Sequence, residues 1–209
     1  MSTISFAITA CNEHVELERL LDQIVSFIKP DDEIMVQLDS TSTPEVKSVA
    51  EKYNVGQPFE YHRIYSSLNG DFATFKNNIK EHCTRDWVFF IDADEYLSDG
   101  LLENIHEILD ANNGLVDLIA VPRINTVEGL TREHIDKWRW FVDDNGWVNY
   151  PDYQTRICAN KKEIKWVNKV HERLMGWKTI ANLPQGYDLM HPKTIERQEK
   201  QNQFYNTIL

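Results

Sequence analysis

No apolar run in this 209-residue sequence approaches the ~18 residues that cross a bilayer, and no basic segment precedes an apolar one at its start. A cytoplasmic protein is the expectation. Cysteine is scarce: Cys11, Cys83 and Cys158 are scattered, without CxxC or CxxxC spacing, which argues against a disulfide framework or a cysteine zinc site. Neither GxGxxG nor GxxxxGK[ST] occurs, which argues against a dinucleotide site and a P-loop; a diphosphate would have to be neutralised by metal instead. Positive charge is short as well. Twenty-two Lys and Arg face 33 Asp and Glu, a net −11, which disfavours broad phosphate-backbone binding. No repeat, low-complexity segment or Pro/Gly/Ser-rich linker divides the chain.

What is present suits one sizeable core, at 42% hydrophobic and 26% charged residues. Short apolar runs alternate with amphipathic stretches. Strands are predicted at 4–9, 33–38, 60–65, 87–91 and 118–122. Helices are predicted at 15–28, stopped by Pro30, and at 44–53, 72–83, 97–109 and 196–203. Trp87–Ile91 is apolar throughout, as a sheet covered on both faces requires. This alternation predicts an α/β fold with a mostly parallel sheet, helices on both faces, and ligands beyond the carboxyl ends of the strands. Three strand exits are polar and should converge: Thr9 to Glu13, Asp39 to Ser42, and Asp92 to Glu95. From Trp138 to Trp177 the chain holds five of its six tryptophans, which reads as a substrate-facing elaboration.

Asp92-Ala93-Asp94 is the most informative local signal. Carboxylates at i and i+2 of an extended chain project to one side and can hold a hard divalent cation, whose shell a diphosphate can complete. The plainer alternative is an acidic turn that caps the following helix. Asp39 either hydrogen-bonds a ribose hydroxyl or caps a turn, and Asn12-Glu13 either meets a ligand or starts a helix. Lys76 on the 72–83 helix is either a cation for a diphosphate or a surface lysine. Glu172, after His171, can act as a general base if burial keeps its pKa useful; the alternative is a surface pair. His191, before Pro192, is a metal ligand or a structural histidine. The tryptophans are either core residues or platforms for sugar rings.

Taken in order, several segments resemble glycosyltransferase family 2. They are Thr9-Ala10-Cys11-Asn12-Glu13, Asp39-Ser40-Thr41-Ser42, Phe75-Lys76-Asn77 and Asp92-Ala93-Asp94-Glu95, then Tyr150 to Arg156, Val170-His171-Glu172 and His191. More narrowly, the set is similar to small bacterial and phage members related to lipopolysaccharide-core β-glucosyltransferases. The resemblance implies a single GT-A domain over 1–209, with a nucleotide-sugar half at 1–114 and an acceptor-side half and tail at 115–209. It implies a metal-dependent, inverting transfer from a nucleotide sugar, UDP-linked by default, to an acceptor hydroxyl, with a saccharide as the default acceptor. A modified DNA base and a non-catalytic sugar-nucleotide-binding relic are the alternatives, and a homo-oligomer stays open.

Residue by residue, the resemblance assigns Asp39 and Asp92 to the nucleoside. It adds Thr9, Ala10, Asn12, Glu13, Lys76 and Ala93 to the donor-binding set. Asp94 and His191 would ligate Mn²⁺ or Mg²⁺. Asp152, Gln154 and Arg156 would line the acceptor or donor-sugar side, and Glu172 would be the base. The family pattern there is Glu-Asp where this chain has His-Glu, which makes His171 the competitor. A nucleotidyltransferase would need a Gly-rich, Arg-containing loop after the first strand, which Ala10-Cys11-Asn12-Glu13 does not supply.

Overall fold

A computed structural model describes residues 1–54 and 56–208; Val55 and Leu209 lie outside it. The first half runs β1 (Ile4–Ala10), α1 (His14–Val25), β2 (Glu33–Asp39), α2 (Pro44–Lys52), β3 (Glu60–Ser66), α3 (Phe72–His82) and β4 (Trp87–Asp92). It continues through β5 (Tyr96–Leu97), α4 (Asp99–Asn112), β6 (Leu118–Val121), β7 (Arg123–Glu128) and α5 (Arg132–Trp138). The remainder is β8 (Gln154–Ala159), β9 (Lys165–Val167), β10 (Arg173–Met175), β11 (Ile180–Asn182), β12 (Leu189–Thr194) and α6 (Ile195–Ile208).

Seven strands pair in the order β11-β6-β8-β4-β1-β2-β3. β8 runs antiparallel to both its neighbours, and the other pairings in this sheet are parallel. The period-2 alternation of the strands sends Phe6, Ile8, Ile34, Val36, Phe89 and Ile91 into a core shared with α1, α2 and α4. Ala7, Met35, Val88 and Phe90 enter a second core with α3 and the β9–β10 hairpin. Both faces are therefore covered, as the apolar run Trp87–Ile91 of β4 required. The carboxylate of Glu33, buried in the sheet, is paired: it accepts from Ser5 Oγ at 2.6 Å and from Thr84 Oγ1 at 2.8 Å.

Several boundaries differ from the sequence reading. α1 ends at Val25, short of Ile28. There the buried Asp32 carboxylate accepts the amides of Lys29 and Ile4, both at 3.0 Å, and draws the chain down into β2. The helix predicted at 97–109 starts at Asp99, capped by Ser98, whose hydroxyl accepts from the Leu101 amide. Asp92–Asp94 caps no helix. Instead Tyr96–Leu97 pairs with β12, in a small sheet of order β5-β12-β7 that sets His191 beside Asn125. The last helix runs on past Gln203 to Ile208.

The β9–β10 hairpin positions Glu172, and Gly176 closes it. At Gly176 φ is +90°, and a Cβ there would sit 1.9 Å from the Glu163 carbonyl oxygen. Gly176→Ala is expected to lower stability by about 1–3 kcal/mol in urea titrations. Gly146→Ala has a similar φ of +78° with open space around it and should lose less. Equal losses would show that φ alone sets the cost.

Candidate active site

The strand order reverses at β1 and β4: β2 and β3 lie to one side of β1, β4 to the other. Open α/β sheets bind ligands beyond the carboxyl ends of the strands at such a point. Here it carries a cleft of about 880 Å³. The structure brings Thr9, Ala10, Glu13, Asp39, Lys76, Asp92, Ala93 and Asp94 to its lining, together with Asp152, Gln154, Arg156, Glu172 and His191. Asn12 is exposed on the β1–α1 loop and does not line the cleft; its amide donates to Glu13 Oε2 at 3.0 Å.

Charge is densest where β4 ends. Arg156, 4% exposed, sends Nη2 to Asp92 Oδ2 at 2.7 Å and to Glu95 Oε1 at 2.6 Å. Glu95, fully buried, also accepts from Arg123 Nη1 at 3.1 Å. The Arg123 Nε and Nη2 atoms reach Asp152 Oδ2 at 3.0 and 2.7 Å. On the other side of Asp92, Lys76 Nζ lies 3.3 Å from Oδ1 and 2.7 Å from Glu172 Oε1, over the Trp166 ring. Burial would raise the Asp92 carboxyl, but Arg156 and Lys76 hold it well below the usual carboxylate range. Lys76 is therefore a buried bridge between two carboxylates, and Arg156 spends its Nη2 on Asp92 and Glu95.

Asp94 and His191 face each other, Oδ2 to Nε2, at 3.3 Å. The tautomer follows from the surrounding bonds. Asn125 donates Nδ2 to Asp152 Oδ2 at 2.9 Å, which turns its Oδ1 toward His191 Nδ1 at 2.7 Å. Nδ1 then carries the proton, and the lone pair of Nε2 points at Asp94. Burial pushes His191 below the ordinary histidine value against the opposing pull of Asp94. Burial also works to raise Asp94, but its bond to His191, which charges before Asp94 titrates on acidification, holds the carboxyl far below the ordinary value. One carboxylate oxygen and one imidazole nitrogen converge to within 3.3 Å. That donor set fits a divalent cation, with the second ring nitrogen held by an amide oxygen as metal-binding histidines require.

Asp94 has one more neighbour. Arg197, on the first turn of α6, reaches Asp94 Oδ2 and Glu13 Oε1 at 3.3 Å each, and Glu16 Oε1 at 2.9 Å. Asp39 accepts from the Leu68 amide at 2.7 Å, the Thr41 amide at 2.8 Å and the Thr41 hydroxyl. Burial opposes ionisation of Asp39, yet those three donors hold its carboxyl below the usual range. A second acidic group, Glu33 with Glu60 and His62, sits at the opposite ends of β2 and β3, where Glu33 is already committed to Ser5 and Thr84.

Sequence reasoning placed Glu95 in a polar strand exit without giving it a role, and it missed Arg123, Asn125 and Arg197. Arg123 and Asn125 had a signal: they stand two apart just after the 118–122 strand, so an extended chain presents both on one face. Arg197 had none, because its partners Glu13, Glu16 and Asp94 are remote in sequence.

The family model described as glycosyl transferase family 2 matches residues 5–173. The lipopolysaccharide core biosynthesis glycosyltransferase LpsC of Rhizobium meliloti is 25% identical over 209 residues, 98% of this chain and 69% of LpsC. The SPbeta prophage-derived glycosyltransferase SunS of Bacillus subtilis is 26% identical over 179 residues, 84% of this chain. The chain spans only 35% of the length of SunS. Among solved structures, S. aureus TarS 1–349 in complex with UDP-GlcNAc superposes with a TM-score of 0.64 at 15% identity, over 91% of this chain and 58% of that one. This likeness shows the same GT-A fold.

Removing the guanidinium of Arg156 strands the buried Glu95 and the half-buried Asp92. Arg156→Met is expected to cost about 3–5 kcal/mol at neutral pH, measured by chemical denaturation. The folded Asp92 value is depressed, so its contribution is complete above the ordinary Asp value of about 3.9 and is lost as pH falls below it. The Arg156→Met deficit should therefore shrink on acidification below pH ~4. A deficit that stays constant down to pH ~2 would mean that packing, not charge, is what Arg156 supplies.

Proposed function

The chain belongs to glycosyl transferase family 2, and from that premise we propose that it moves a sugar from a UDP-sugar to an acceptor hydroxyl on a saccharide. The transfer would invert the anomeric centre and use Mn²⁺ or Mg²⁺. The observation that carries this reading is the pair Asp94–His191, with Nε2 turned to the carboxylate, at the switch point of the sheet. A relative named for lipopolysaccharide core and a similar structure holding UDP-GlcNAc support the acceptor and donor classes.

Asp39, with three donors already on its carboxylate, keeps one of about four lone-pair sites for a ribose hydroxyl. Thr9 and Lys76 hold Asp92 in its ionised form beside the nucleoside. Asp94 and His191 would hold the cation, which when bound neutralises the charge growing on the leaving diphosphate. Arg197 shares Asp94 Oδ2, so its guanidinium would compete with a cation for this oxygen. Glu172 accepts the proton of the acceptor hydroxyl as that oxygen bonds to the anomeric carbon and the bond from this carbon to the diphosphate oxygen breaks. Lys76, 2.7 Å from Oε1, orients Glu172 for that transfer.

Isothermal titration tests the donor side. UDP should bind weakly with chelator and tightly with Mn²⁺. Asp94→Asn should abolish most of the difference, His191→Ala should raise the Mn²⁺ requirement, and Arg197→Ala should lower it. Equal UDP affinity with Mn²⁺ and with chelator would sink the metal assignment.

On the acceptor side, Glu172→Gln should spare UDP binding and lower kcat by roughly 10²–10⁴. His171→Ala serves as its comparison. If Glu172→Gln transfers sugar near the wild-type rate while His171→Ala is dead yet binds UDP, the base is His171.

A further inference from the structure

The segment between β7 and β8 carries Trp138, Trp140, Phe141 and Trp147, and none of them belongs to either buried core. α5 itself has no buried residue, and Phe141 is 66% exposed. Leaving this much aromatic surface outside the core forgoes burial energy of about 25 cal/mol per Å². Yet the segment is firmly built. α5 starts in a capping box of Thr131 and His134 and ends at Arg139, φ 55°, where the Trp140 amide bonds back to the Ile135 carbonyl at 3.0 Å. Trp140 packs against Trp138 with centroids 4.7 Å apart, and Trp138 stacks on His134 at 5.2 Å. The return strand is tied by Asn149 N to Phe141 O at 2.8 Å and by Val148 N to Asn125 O at 2.9 Å. Asn125 also holds His191 Nδ1, so the return segment beside this aromatic stack is fastened to the residue next to His191.

Trp140 and Asn149 line the same cleft as Asp152 and Gln154. We propose that Trp140 is the platform of an acceptor subsite for an uncharged sugar ring, with Asn149 and Gln154 at the hydroxyl rim. The inference rests on the transferase reading and names the acceptor's recognition element. A pyranose offers an apolar C–H face to an aromatic ring and hydroxyls to amides, the mixed chemistry found here. A nucleic acid is disfavoured by charge: from Arg132 to Asp152 there are three cations, Arg132, Lys137 and Arg139, against five carboxylates.

The test uses 5-fluorotryptophan-labelled protein and ¹⁹F NMR, with the Trp140 resonance assigned through Trp140→Phe. The probes are methyl glucoside, galactoside and mannoside, added with UDP and Mn²⁺ present. At least one glycoside should shift the Trp140 signal. Trp140→Ala should weaken that glycoside about 3–10-fold, read on the other tryptophan signals that it moves, with UDP affinity held within twofold. Trp140→Phe should recover part of the loss. Glycosides that leave the Trp140 signal in place while UDP binds would overturn the platform alone. A single-stranded oligonucleotide that shifts Trp140 more than every glycoside would overturn it in favour of a nucleobase. Failure of UDP to bind, with Trp140 still responding to glycosides, would overturn the donor reading and leave the platform standing.

Discussion

Asp92, Asp94 and Glu95 crowd three carboxylates into four residues at the end of a strand whose other side chains are buried. Such a cluster stays ionised only if cations are built into the same space, and the guanidinium of Arg156 is the first of them. It arrives on β8, the one antiparallel strand in the seven-stranded sheet, and together with Lys76 it keeps Asp92 charged. Arg123 extends the arrangement to Asp152, and Lys76 extends it to Glu172. Both walls of the cleft hang from this alternation of charge.

A second chain of constraints runs at right angles to the first. Asp152 fixes the Asn125 amide, Asn125 fixes the His191 tautomer, and His191 offers its lone pair at Asp94. Asp152 belongs to both chains, because Arg123 and Asn125 meet on the same oxygen. This makes Asp152 less a free substrate contact than the junction through which the charge network and the imidazole are kept in register. Its carboxyl is disfavoured by burial but held below the usual range by Arg123 and Asn125, consistent with a residue that stays charged.

α6 brings a different kind of control. Arg197 engages Glu13, Glu16 and Asp94 from one guanidinium, and so ties the C-terminal helix to the start of α1 and to the cleft. Tyr205, further along the same helix, packs against Phe72 and His171, and all three line the cleft. A ligand that takes Asp94 from Arg197 thus acts on the anchoring of the whole helix.

Much of this was legible in advance where the physics is local. The alternating apolar runs predicted the strands β1 to β4, and the polar exits at Thr9, Asp39 and Asp92 marked the cleft, because a parallel sheet puts the carboxyl ends of its strands on one edge. The i, i+2 spacing of Asp92 and Asp94 was also local. Its split into two roles was not: Asp92 pairs with Arg156, 64 residues away, and Asp94 with His191, 97 residues away. The same holds for Lys76 and Glu172, separated by 96 residues. Periodicity reports which side of an element is buried, and it is blind to which other element lies against that side. Strand order, the diversion of Tyr96–Leu97 into a second sheet and the reversed direction of β8 are outcomes of packing over the whole chain. They alone decide which charges meet.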